Sequence, residues 1–407
     1  MVSNRSVGSN IVGDEVAESG NPKLLASFLL LAGVYGAAQF GKLLPAIPEL
    51  VATFGDAQAS FLISVFELAG ALLGAVAGTY SRRFGQRRLL IIALWSFCCT
   101  NIVLSTSSTL AALYAARILE SFAYLFVITC IPPMIAGLLD GRDRTMFLGL
   151  WSAFFPVGMA VGAFITTAMG VSANSFRYSM FAFALIGGAL AIIFQRNPAS
   201  AQPLEEGQAS IAKKAKPQSF WLAVGFGFVS TMFVGFISVQ TLMLTRFSEM
   251  DDKLAGLLVS IMSLSTAMGV FAPRLVRSPL PDKNQAQQVI NLILLILVLV
   301  GAAVCVLYLG PNTRGYLMAS IAICILVGCV VALVFAGLPA LERQDDISSA
   351  NGLVAQFGAI GALLGPPIFI QTLSVTEPAA VVSVALALLI PGLLFVLIAS
   401  TRSSAEG

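Results

Sequence analysis

From residue 24 to residue 399 long apolar runs alternate with short polar turns. A helix needs about 20 apolar residues to cross a bilayer core. Twelve runs meet that length: Leu24–Leu44, Ala59–Tyr80, Arg88–Thr106, Thr109–Leu138, Thr145–Gly170, Arg177–Gln195, Ser219–Thr245, Leu254–Ala272, Ala286–Leu309, Arg314–Leu341, Ser349–Thr372 and Ala379–Ala399. One loop is longer than the rest. Residues 196–218 are polar, with Pro198, Pro203, Pro217 and a Lys213–Lys216 cluster, and they divide the runs six and six. That cluster reads as a solvated linker held near anionic lipid headgroups.

The two sets echo each other. Run 2 ends on Gly74, Gly78 and Arg82, and run 8 on Gly269, Pro273 and Arg277. Run 4 ends with Pro132-Pro133 and an acidic turn; run 10 ends at Pro339 and the charged stretch 342–346. Run 5 holds Pro156, Gly158 and Gly162, and run 11 holds Gly361, Gly365 and Pro366. Parallel repeats of this kind imply a pseudo-two-fold axis along the membrane normal, with a site between the halves. The expected fold is an all-α membrane protein of twelve transmembrane helices in two pseudo-symmetric six-helix bundles. Its parts are a tail (1–23), a bundle (24–195), a linker (196–218), a second bundle (219–399) and a tail (400–407).

Charge placement sets the expected orientation. With twelve spans, 17 of the 23 Lys and Arg side chains share one side with both termini. Five (Lys42, Arg177, Arg246, Lys253 and Arg314) fall opposite, and Arg117 is intramembrane. The positive-inside rule then puts both termini in the cytoplasm, with the chain in the cell inner (plasma) membrane.

Composition agrees. The chain is 57% hydrophobic and 11% charged, against about 25% charged in soluble domains. Its scattered basic residues give no footing for nucleic acid. The six cysteines lie inside apolar runs and read as small hydrophobes. The absence of histidine removes the usual neutral-pH proton carrier, so a proton relay would have to use carboxylates. The polar, mixed-charge start is unlike a secretory signal. No nucleotide loop, catalytic carboxylate pair or metal spacing appears. Neither enzyme activity nor a cofactor or metal is expected.

Four stretches resemble the major facilitator superfamily: the turn Gly78-Thr-Tyr-Ser-Arg-Arg-Phe-Gly85-Gln-Arg87-Arg88; Arg117-Ile-Leu-Glu120-Ser121 in run 4; Gly149-Leu-Trp151 through Pro156, Gly158 and Gly162 in run 5; and Gly41-Lys42-Leu-Leu-Pro45-Ala-Ile-Pro48, similar to a cyanate-permease-like branch. Two positions depart from the pattern. Arg82 stands where the family has an aspartate, and Ser121 where it has glycine. The resemblance implies alternating access around a cavity lined by spans 1, 4, 7 and 10. It also implies gating by Gly78, Gly85, Arg87, Arg88, Pro156, Gly158, Gly162, Gly365 and Pro366, with Arg87 and Arg88 either gripping span 11 or only obeying the charge rule.

Arg117, Glu120 and Tyr124 share a face of run 4, and Glu67 lies at matching depth in run 2. A charge so deep in an apolar run is costly and marks a pathway or a pair. Counted as Glu67, Arg117 and Glu120, the cluster carries −1 when fully ionised, so one acid could hold a proton exchangeable with transport. A static pair for Arg117, and an interhelical bond for Glu67 in its Gly70–Gly74–Gly78 stripe, stand beside that reading. Tyr35, Gln39, Tyr124, Gln240 and Gln356 are the candidate substrate contacts. Lys42 is read as an anchor at the outer interface.

The expected function is a secondary active transporter, proton-coupled, exporting a small organic solute such as a metabolite, drug or siderophore-like compound. Uptake of a small organic anion is the alternative, and a transporter-like sensor the alternative of another class. The partners expected are the solute, protons and membrane lipid, with the chain a monomer.

Overall fold

The computed structural model describes residues 21–170, 172–196, 217–276, 296, 299–308, 310–311, 314–341, 347–375 and 377–405. Helices account for nearly all of them, and no strand occurs among the described residues. Span 1 runs from Pro22 to Phe54: helix Pro22–Gly41, a 3₁₀ turn Leu44–Ala46, then helix Ile47–Phe54. Span 2 is helix Asp56–Ser64, a 3₁₀ turn Val65–Glu67 and helix Leu68–Phe84. Span 3 is Gln86–Thr106 and span 4 Leu110–Leu138. Span 5 is the pair Gly141–Trp151 and Phe154–Met169, bent by 50°. Span 6 is Ala173–Arg196, span 7 Pro217–Ser248 and span 8 Asp252–Val276. Span 9 contributes the helical residues 299–307. Span 10 is Arg314–Leu341, span 11 Ile347–Val375 and span 12 Pro378–Ala405. The tail 1–20, linker residues 197–216, most of span 9 and the turn 342–346 lie outside the described residues. Span 12 stays helical beyond residue 399, where the apolar run stops.

The end of span 1 differs from the sequence reading, which stops the run at Leu44. Pro45 and Pro48 read as the end of span 1. Each instead sits at the start of a new helical segment, where a missing N–H costs nothing. The span therefore continues about two turns further. Lys42 lies within it, fully buried, rather than anchoring at the interface.

The packing repeats between halves. Span 1 packs on span 5 as span 7 packs on span 11, and span 2 packs on span 4 as span 8 packs on span 10. Small residues set the first seam. A Cβ on Gly158 would stand 2.4 Å from Ala37 Cβ, and one on Gly162 would stand 2.3 Å from the Ala38 carbonyl oxygen. In the second half a Cβ on Gly361 would stand 2.3 Å from the Gly227 oxygen, and one on Gly365 would stand 2.6 Å from the Thr231 oxygen. Both seams thus use glycines four residues apart, one helical turn, to bring backbones into contact.

The halves meet where spans 2 and 11 pack and where spans 5 and 8 pack. They also meet at the end of the bundle that holds Gly55. There the Thr241 hydroxyl donates to the Leu44 carbonyl at 2.8 Å, and Arg246 pairs with Asp56 at 3.7 Å. Gly55, at φ +86°, makes the one-residue turn between spans 1 and 2. Gly85, at φ +85°, makes the equivalent turn between spans 2 and 3 at the opposite end. L side chains rarely adopt such angles.

Candidate functional site

A buried polar network fills the first bundle at the depth of the span 1 break. Glu120 is at its centre and wholly buried. Its Oε1 accepts from Lys42 Nζ at 2.6 Å and from Thr100 Oγ1 at 3.2 Å, and its Oε2 accepts from Arg117 Nη1 at 2.6 Å. Lys42 Nζ also donates to Gln39 Oε1 and Asn101 Oδ1, both at 2.6 Å. The Asn101 amide closes the ring by donating to Gln39 Oε1 at 2.9 Å. A charge removed from water needs partners of this quality to be tolerated, and Glu120 has three.

Arg117 explains the helix breaks. Beyond Glu120, its guanidinium donates to three main-chain oxygens: Gln39 at 2.7 Å, Leu62 at 3.2 Å and Ile63 at 3.2 Å. The Gln39 oxygen is free because the Leu43 N–H turns back to Phe40 as span 1 leaves α geometry. The Leu62 and Ile63 oxygens precede the 3₁₀ turn of span 2. On the far side of that turn the orphaned Ala69 N–H donates to Ser121 Oγ at 2.6 Å. Backbone groups in a membrane must find partners inside the protein, and span 4 supplies them at both breaks. Ser121, a departure from the family pattern, therefore has a definite task.

Glu67 differs from Glu120. It is the last residue of the span 2 turn and is 5% exposed. No hydrogen bond or ion pair to it occurs among the described residues, although it lies within electrostatic reach of Arg117 and Tyr124. The Tyr124 hydroxyl likewise has no hydrogen bond among the described residues, while its ring lies 4.7 Å from that of Phe66 and 6.3 Å from that of Phe155. Phe40 adjoins both Phe66 and Phe155, at 6.0 and 6.1 Å. The result is an unpaired carboxyl and a phenol beside an aromatic group drawn from spans 1, 2, 4 and 5.

The charge count from sequence needs correction. The cluster includes Lys42 and so holds two cations and two carboxyls. Full ionisation leaves it neutral rather than at −1, and the network itself demands no proton.

The other sequence candidates are placed as follows. Tyr35 donates to the Phe183 oxygen at 2.7 Å, tying span 1 to span 6. Gln39 is taken up by Lys42 and Asn101. Gln240 accepts from Tyr316 at 3.0 Å and its Nε2 has no partner among the described residues. Gln356 donates to the Ala71 oxygen at 2.9 Å, bridging span 11 to span 2. Arg87 donates to the Phe194 and Gln195 oxygens, at 2.9 and 3.1 Å. It thus grips the end of span 6, while Arg88 is exposed. Gly78 has nothing within 4 Å of an added Cβ. Span 5 bends at Ser152–Ala153, four residues ahead of Pro156, whose ring leaves the Ser152 oxygen without its helical N–H partner. Span 11 remains one helix through Gly365 and Pro366. Sequence reasoning missed Thr100 and Asn101. The signal was available, since they form a polar pair in the middle of an apolar run. A cleft of about 490 Å³ lined by Pro48, Glu49, Asp251 and Lys253 opens at the Gly55 end. None of its lining residues belongs to the network.

Comparison with known proteins gives the family. Multidrug resistance protein 2 of Bacillus subtilis (strain 168) is 22% identical over 362 residues, covering 83% of this chain and 86% of its own. The class C tetracycline resistance protein of Escherichia coli is 32% identical over 136 residues, covering 31% of this chain and 33% of its own. Among solved structures, a bacterial homolog of the human lysosomal transporter Spinster, inward-facing and unoccupied, superposes with a TM-score of 0.72 at 13% identity, covering 95% of this chain and 98% of that one. The sequence model described as Major Facilitator Superfamily matches residues 24–366. The chain is a multi-pass membrane protein that belongs to the Major Facilitator Superfamily of transporters.

Proposed function

We propose that this transporter exports an amphipathic organic cation in exchange for protons, with both termini in the cytoplasm and Glu67 as the exchanging group. The observation behind this reading is the contrast between the two acids. Glu120 has each oxygen committed to a cation. Glu67 is buried, has no hydrogen bond among the described residues, and stands beside aromatic rings. A carboxyl in that setting can hold either a proton or a cationic ligand, and aromatic faces attract the same cation. The multidrug and tetracycline resistance relatives support export.

The uptake reading for organic anions has two supports, the cyanate-permease-like stretch Gly41–Pro48 and the charge of Lys42. The Lys42 ammonium donates to Glu120, Gln39 and Asn101, which leaves it no free donor for a solute and weakens the second support.

The test is an acid-inside pH gradient in inside-out vesicles, challenged with tetraphenylphosphonium. Wild-type protein is expected to collapse the gradient on addition of the cation. Glu67→Gln is expected to abolish the response, and Tyr124→Phe to weaken it severalfold. An unchanged response in Glu67→Gln would overturn the assignment of the coupling group. A response to organic anions alone would overturn the substrate class.

A further inference from the structure

The two breaks in spans 1 and 2 flank one piece of chain. Between the 3₁₀ turns Leu44–Ala46 and Val65–Glu67 lie two short helices, Ile47–Phe54 and Asp56–Ser64, joined by Gly55 alone. This hairpin covers the Gly55 end of the bundle. It touches the second half through span 7, span 11 and the Asp56–Arg246 pair. Its tie to the body of its own half includes the Tyr114 hydroxyl on the Gln58 oxygen at 2.8 Å. A 3₁₀ turn in mid-helix often marks a hinge, and here two such turns bound one segment.

Both turns are held from span 4. Arg117 binds the Gln39 oxygen at the first joint and the Leu62 and Ile63 oxygens at the second. Ser121 holds the Ala69 N–H at the second. Lys42, in the first joint, is fixed to Glu120, the partner that also orients Arg117. One side chain thus holds released carbonyls at both ends of the hairpin.

We propose that Ser121 and Arg117 are positioning residues of the transport cycle: they pin the joints that let residues 44–64 move as a flap relative to the rest of their own bundle. The motion differs from rocking of one rigid half against the other. In rigid rocking, distances inside the first bundle stay constant. With a hinged flap, they change at this hairpin. The proposal stands on the helix breaks and their hydrogen bonds, and holds whether or not the transported solute is a cation.

Spin labels separate the two motions. In a background with the six native cysteines replaced, labels go on exposed Thr53 of the flap and exposed Ser108 at the start of span 4. A second pair joins Thr53 to exposed Lys253 of the other half, and a control pair joins Ser108 to Ser172 within the first bundle. Distances are read by pulsed electron paramagnetic resonance in lipid nanodiscs, for wild type, Ser121→Ala and Asp56→Asn. Ser121→Ala releases a joint, and Asp56→Asn releases the flap from the second half without touching span 4. In each variant the Thr53–Ser108 distribution is expected to gain a population displaced by several ångströms, while Ser108–Ser172 stays fixed. A single narrow Thr53–Ser108 distribution in every variant, with only Thr53–Lys253 changing, would mean rigid rocking and overturn the proposal. Absence of tetraphenylphosphonium-driven gradient collapse in the wild type, with the displaced population present in the variants, would count against the substrate reading and leave the flap intact.

Discussion

Lys42, Glu120 and Arg117 form an alternating row of charges, and the order decides how each substitution behaves. Glu120→Gln leaves two buried cations without the carboxylate that each is hydrogen-bonded to, and losing one partner of a buried pair costs about 3–5 kcal/mol. Lys42→Met leaves Glu120 still paired with Arg117, so its cost falls at or below the bottom of that range. The double variant Lys42→Met/Glu120→Gln retains one unpaired cation instead of two and is expected to recover part of the loss. Thermal unfolding of the purified protein in detergent would rank the three, with Glu120→Gln the least stable. If Lys42→Met proved the more damaging single change, the assignment of Glu120 as the central partner would be wrong. The row was only half legible in the sequence. Arg117 and Glu120 announced themselves as charges deep in an apolar run. Lys42 was hidden because two prolines beside it imitate the end of a span. Ser121 was visible only as a mismatch to a family pattern, and its hydrogen bond depends on a helix break that periodicity does not encode.

At the scale of the element, the glycines divide into those that hold helices together and those that do not. Gly162 sits where a Cβ would meet the Ala38 oxygen at 2.3 Å. Gly162→Ala must push spans 1 and 5 apart, and overpacking of this kind costs about 1–3 kcal/mol. Gly78 lies in a helix with no heavy atom near its missing side chain. Gly78→Ala is expected to be neutral or to stabilise by up to about 1 kcal/mol. Comparing folded yield and unfolding temperature of the two variants would check the contrast. The sequence showed where the spans lie and that they repeat, because apolar length and glycine spacing are local signals. The bend of span 5 at Ser152–Ala153 was marked too, by Pro156 four residues beyond Ser152, but the ring packing at that break was not. There Trp151 and Phe154 stack across the break at 4.1 Å. That ring pair closes only in three dimensions, against Gly33 of span 1.

For the whole molecule, the contacts between halves at the Gly55 end include one ion pair weak enough to part. The Asp56–Arg246 pair is partly exposed at 3.7 Å, a class worth about 0–1 kcal/mol. Asp56→Asn should therefore leave the folded state intact yet raise the population open at that end by as much as about fivefold. Labelling of Ser238→Cys, a buried position on span 7, by an impermeant maleimide added from the Gly55 side would report the change as a faster rate. An unaltered rate would mean that the pair does not contribute to closure.

Exchange at the buried Glu67 carboxyl, as proposed, has an electrical consequence. The two cations flanking Glu120 are buried and paired with it within one bundle. If Glu67 alone alternates between one proton and one monovalent cation, each cycle moves equal charge in both directions. Moving one elementary charge through 100 mV is worth about 2.3 kcal/mol, and an electroneutral cycle forgoes all of it. Such a protein would run on acidity and ignore voltage. Clamping the membrane potential to zero with valinomycin and potassium should leave its rate unchanged, while collapsing the pH difference should stop it. A solute carrying two positive charges would behave otherwise, and its export would be opposed by the resting potential.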